Sequence, residues 1–164
     1  MGAADCALSG KEKYMRRIIS AIFAFVFLIS CNVTVISHDE DMAAKSAIEY
    51  ARVALVKQDI QNSYSLLSDS AKKMVSFEKH SQVLSKIHPF LYPISLAAEE
   101  YEPIPGEKGM NIFLYGENGS EKFFYRVIME GTARTGYKVS GIYRGNGPFP
   151  PSKLRKKLKI AYST

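Results

Sequence analysis

The chain is 164 residues long, 46% apolar and 23% charged, with a formal net charge of +6. That much apolar material builds one globular core and excludes a disordered or collagen-like chain. The positive charge lies at the two ends, because residues 31–152 carry 13 Lys/Arg against 14 Asp/Glu. A neutral body of this kind argues against a general nucleic-acid binder.

The chain begins with a leader. Lys11, Lys13, Arg16 and Arg17 form a positive segment, and the 12 residues from Ile18 to Ile29 carry no charge. As a helix this run reaches about 18 Å, short of the roughly 30 Å of bilayer hydrocarbon. A basic start, a short apolar run and a small residue before the cut describe an export signal. Its closing residues, Leu28-Ile29-Ser30-Cys31, resemble the lipobox of bacterial lipoproteins. The resemblance implies removal of residues 1–30 as a signal peptide, a diacylglycerol on the Cys31 thiol and a fatty acid such as palmitate on the new amino terminus. It further implies a protein of the bacterial cell envelope, held to the membrane through Cys31 and facing the periplasm, with Asn32 fitting the outer membrane better than the inner. The competing readings are an ordinary secretory signal with an incidental Cys31, or an uncleaved anchor. Met15 opens a compact leader by itself, which makes it an alternative start. Cys6 falls in the leader, so the mature chain keeps Cys31 alone and has no intrachain disulfide.

Residues 31–40 read as a polar tether. Asp39 or Asp41 is placed to cap a first helix, whose stripe Ala44, Ala47, Ile48, Ala51 and Leu55 follows the 3.6-residue period. Ile60, Tyr64 and Leu67 repeat that spacing after Gln58-Asp59, as a second short helix or a continuation. Ser68-Asp69-Ser70 marks a break. Ser76 then caps a third helix carrying Phe77, His80, Leu84 and Ile87 on one face, and Pro89 ends it. Beyond Pro93 the period becomes two, predicting strands from Ile94, over Met110 to Tyr115, over Phe123 to Glu130 and over Tyr137 to Arg144. Asn118-Gly119 supplies a tight hairpin, and Gly141 is a candidate for a bend or bulge. The third strand is apolar on both faces and is therefore central. The fold class expected is α+β, with N-terminal helices on a curved four-stranded antiparallel meander over residues 41–147.

Ala51-Arg52-Val53-Ala54-Leu55, Tyr64-Ser65-Leu66-Leu67-Ser68, Val75-Ser76-Phe77-Glu78, Tyr125-Arg126-Val127-Ile128-Met129 and Gly136-Tyr137-Lys138-Val139-Ser140-Gly141 together resemble the nuclear transport factor 2-like superfamily of cystatin-like α+β cones. The resemblance covers roughly residues 42–145 and implies a pocket between helices and sheet. That superfamily holds isomerases, dehydratases, hydrolases and members without known chemistry.

The pocket so implied is lined by His80, Tyr115, Tyr125, Phe113 and Phe123. Catalytic pairing is weak: His80 reads first as a satisfied core histidine, His88 sits at a helix end, and Glu99 and Glu100 fall on opposite faces of their strand. His38, His80 and His88 make no metal-ligand spacing, and neither a phosphate loop nor a nucleophile elbow occurs, so no metal or cofactor is expected. The tail over 148–164 is basic. Ser152 is placed to cap a short amphipathic helix with Lys153, Arg155, Lys156, Lys157 and Lys159 around it, touching anionic lipid or an acidic partner. A solvated disordered end is the other reading. The function expected is a non-catalytic anchored protein binding a small apolar ligand or an envelope protein, as a homodimer through the open sheet face. The alternative is a small hydrolase or isomerase built around His80.

Overall fold

A computed structural model describes residues 36–88 and 90–163, without the side chains of 159–162. The expected leader, Cys31 and the first part of the expected tether lie outside the described residues. Residues 36–163 form one compact unit with its own core. No helix among the described residues is long and apolar enough to cross a membrane.

Helix α1 (Glu40–Ala51) runs on into one π-helical turn (Arg52–Val56), followed by α2 (Ile60–Ser65), α3 (Asp69–Met74) and α4 (Phe77–Ile87). Each α-helix starts where a short polar side chain accepts a backbone N–H three residues on. The pairs are Asp39 with Met42 (2.8 Å), Asp59 with Asn62 (3.0 Å), Ser68 with Ala71 (3.2 Å) and Ser76 with Lys79 (3.3 Å). Such caps satisfy donors that a helix leaves free at its start. Ser68 therefore opens a further helix at the expected break. Ordered packing also begins inside the expected tether. The Asp39 N–H donates to the Tyr137 hydroxyl (2.9 Å), and the Ala133 N–H donates to the Ser37 carbonyl (3.0 Å).

Strands β1 (Ser95–Pro103), β2 (Gly109–Asn118), β3 (Glu121–Thr132), β4 (Gly136–Gly145) and β5 (Lys156–Ser163) form one antiparallel sheet in the order β4-β3-β2-β1-β5. The α+β class and the helices-first order stand as expected, but the sheet has five strands. The tail from Lys156 is a strand on the edge of β1, in place of the expected helix or disordered end. Lys157-Leu158-Lys159-Ile160 alternates with period two, and the β1 edge supplies the hydrogen-bond partners that a lone helix cannot offer. Leu158 is buried in the core there.

Helix α1 crosses the sheet and touches all five strands. Its stripe Ala43, Ala44, Ala47 and Ala51, continued by Ala54 in the π-helical turn, is 0–1% exposed, and such small side chains let the helix backbone come close to the sheet. Facing it are Leu96, Ala98, Met110, Ile112, Phe123, Tyr125, Val127, Met129 and Val139, the inward set of the alternating strands. The β2–β3 hairpin closes through Gly119-Ser120, with Gly119 at φ +62°. Two bulges break the regular register. One inserts Glu99 between Ala98 and Glu100, and the other inserts Ser140 opposite the Ile128/Met129 step, one residue before Gly141.

Candidate binding groove

β4 and β5 lie on opposite edges of the sheet, so residues 146–155 must travel across its full width. Four strand spacings are about 19 Å, well within the reach of ten extended residues. This crossing segment lies over the face that the helices leave open. Phe149 packs against Phe113 with ring centres 5.6 Å apart. Ser152 donates from Oγ to Glu102 Oε1 at 2.6 Å. The Arg155 guanidinium sits 3.8 Å above the Phe113 ring, donates from Nη1 to the Phe149 carbonyl (3.0 Å) and lies 3.6 Å from Glu100 Oε2. Gly145 makes the turn-back possible, because a Cβ there would stand 2.8 Å from the Gly147 carbonyl oxygen and 3.2 Å from the Phe149 ring.

Beneath this strap the register draws one row across the sheet: Lys157 on β5, Glu100 on β1, Phe113 on β2, Arg126 on β3 and Tyr143 on β4. Arg126 stacks 5.0 Å from the Tyr143 ring centre and 5.9 Å from that of Phe149. Stacked cation–ring pairs of this kind contribute from about 0.5 to 2 kcal/mol each as they become desolvated. Next to the row, Glu99, Glu100, Phe113, Tyr115, Phe124 and Phe149 line a groove of about 240 Å³. Tyr115 packs against Phe124 at 5.5 Å and donates its hydroxyl to Glu117 Oε1 at 2.5 Å. That acceptor carboxylate holds the Tyr115 pKa above its usual value.

The five expected pocket residues divide between two faces. Phe113 and Tyr115 line this groove, whereas His80, Phe123 and Tyr125 are buried on the helix side. The single pocket is therefore corrected to a groove on one face and a packed core on the other. Strand alternation is the reason, since residues directly opposite across neighbouring strands share a face: Tyr115 is opposite Phe124, and the neighbours Phe123 and Tyr125 point the other way. The facing of the acid pair is also corrected. The bulge spends one residue without changing face, so Glu99 and Glu100 border the same groove. Arg155 leaves the expected basic surface, its side chain only 12% exposed over Phe113. Lys153, Lys156 and Lys157 are exposed, and the Lys159 side chain lies outside the described residues.

The histidines are committed to structural bonds. Ser63 Oγ donates to the Ile60 carbonyl (2.9 Å) and lies 3.0 Å from His80 Nε2. When the hydroxyl proton goes to the Ile60 carbonyl, His80 Nε2 donates to Ser63 and holds it in place; in the other tautomer Nε2 accepts from Ser63. Burial keeps His80 below its ordinary pKa. His88, whose pairing the sequence did not suggest, donates from Nδ1 to the Leu91 carbonyl (2.8 Å) and accepts the Tyr125 hydroxyl at Nε2 (2.8 Å). Desolvation lowers the His88 pKa and raises that of Tyr125, so both stay neutral. Among the described residues no three His, Cys, Asp or Glu side chains gather as metal ligands would.

Fold and groove define an α+β domain with a helix-packed core on one sheet face and a strap-covered aromatic groove on the other. Comparison of the chain with protein families, with curated proteins and with solved structures finds no match.

Proposed function

We propose that this chain is a non-catalytic lipoprotein of the bacterial cell envelope that binds a small apolar or aromatic ligand, or a partner's side chain, in the groove under the strap. The observation that carries the binding role is the ring-lined groove of Phe113, Tyr115, Phe124 and Phe149, bordered by Glu99 and Glu100. Rings with a few placed polar groups are the usual make-up of a small-ligand site. A homodimer through the sheet face would meet the strap before the strands, which favours a small occupant over a second copy. The helices-first order with a bulged sheet supports kinship with nuclear transport factor 2-like domains, Leu28-Ile29-Ser30-Cys31 supports lipid anchoring facing the periplasm, and Asn32 favours the outer membrane over the inner. A hydrolase or isomerase around His80 is the second reading, motivated by the 3.0 Å Ser63–His80 contact.

Two experiments bear on this proposal. Labelling with palmitate is expected to mark the wild type and to leave Cys31→Ala unlabelled and out of the membrane fraction. Two acyl chains or more give stable anchoring and none gives no anchoring, so equal membrane recovery of the variant would contradict the anchor. Native mass spectrometry of the protein released from membranes is expected to show a bound small molecule that Phe124→Asp loses. The same bound mass in both proteins would place the ligand elsewhere.

A further inference from the structure

The connection from α4 to β1 carries a second surface that the groove does not use. Phe90 is 96% exposed, Ile94 66% and Leu91 40%. Three large apolar side chains directed into water within five residues are not explained by folding of the unit itself. The backbone beneath them is tightly held. His88 Nδ1 donates to the Leu91 carbonyl, Asn118 Nδ2 donates to the Tyr92 carbonyl at 2.8 Å, and the Ile94 N–H donates to the Glu117 carbonyl at 2.9 Å. Tyr92 stacks on His88 at 4.8 Å, and Pro93 is buried. The loop is thus a fixed tip that presents its apolar side chains outward.

Beside that tip, Lys86, Lys122 and Arg144 line a broad cleft of about 800 Å³ in which Glu121 is the one acid. Arg144 is fixed there by donation from Nη1 to the Ile87 carbonyl at 2.7 Å. An apolar tip flanked by cations matches a bilayer interface. The side chains enter the acyl boundary, and the cations meet anionic headgroup phosphates.

The geometry points to the 90–94 tip as a membrane-contact site for anionic phospholipid. This inference rests on the anchored-envelope reading. The chain enters the domain at the other end of the sheet, where Ser37 and Asp39 bond to Ala133 and Tyr137.

The chain contains no tryptophan, so a single introduced indole reports its own surroundings. In the full-length protein on phosphatidylglycerol vesicles, Phe90→Trp is expected to shift its emission to the blue and to be quenched by acyl-brominated lipid. Arg134→Trp, near the β3–β4 turn, is expected to do neither. Lys122→Glu in the Phe90→Trp background is expected to lower the shifted fraction about fivefold at low salt, and phosphatidylcholine vesicles are expected to give a smaller shift. Ile94→Trp provides a second reporter if Phe90→Trp folds poorly. Unshifted emission from both reporters on protein that sediments with the vesicles would overturn the inference, as would a shift that needs added envelope protein and no lipid. The intact mass at Cys31 reads the anchor separately, so loss of acylation and loss of tip contact are distinguishable.

Discussion

Gly131→Ala is expected to lower the stability of the domain by about 4 kcal/mol. Gly131 has φ +143°, a region that side-chain-bearing residues avoid, and strain of that kind contributes about 1–3 kcal/mol. A Cβ built there lies 1.9 Å from the Gly136 carbonyl oxygen and 2.9 Å from its carbonyl carbon. Both are rigid backbone atoms, and forcing them apart contributes about another 1–3 kcal/mol. The same hairpin carries Tyr137, whose hydroxyl accepts the Asp39 N–H ahead of α1, so its displacement reaches the helix layer. Domains of this size have about 5–15 kcal/mol in total. A urea midpoint should therefore fall steeply. An unchanged midpoint would mean that the β3–β4 turn relaxes freely and that its register is not fixed as described.

Tyr125→Phe is the second large effect, at about 1–3 kcal/mol, because it leaves the His88 Nε2 acceptor buried without its donor. The pair also gives the domain a pH signature. Burial holds His88 and His80 below the ordinary histidine value near 6.5. The unfolded chain thus takes up protons at a higher pH than the native one does. Stability from these groups is complete above about pH 6.5 and is lost progressively as pH falls from there towards the native pKa values. Urea midpoints at pH 7.5 and pH 5 should differ in that direction. A midpoint that rises on acidification would contradict neutral, buried histidines. Tyr125→Phe should unfold at lower urea than wild type at both pH values.

Much of the helix layer was legible because its signals are local. Asp39 and Ser76 sit where capping requires, and the alanine stripe of α1 keeps one period throughout. The four meander strands were legible from alternation and from Asn118-Gly119. The groove was not, for two physical reasons. A bulge shifts facing by one residue, so plain alternation puts Glu99 and Glu100 on opposite faces whereas the register brings both to one groove. The tail satisfies two periods at once: Leu154, Leu158 and Ala161 fit a helix, and Lys157 to Ile160 fit a strand. The free edge of β1 decides between them, and that edge is not written in the tail. Once β5 sits there, the crossing segment, the stacking of Phe149 and the inward turn of Arg155 all follow from topology. The His88–Tyr125 bond joins residues 37 positions apart, and neither neighbourhood marks the other.

Recognition under the strap can be read from an NMR titration of residues 36–164 with small molecules extracted from the envelope fraction. Shift changes are expected at Phe113, Tyr115, Phe124 and Phe149, with Ser63 and His80 unmoved. Changes centred on Ser63 and His80 instead, with the strap residues silent, would contradict it.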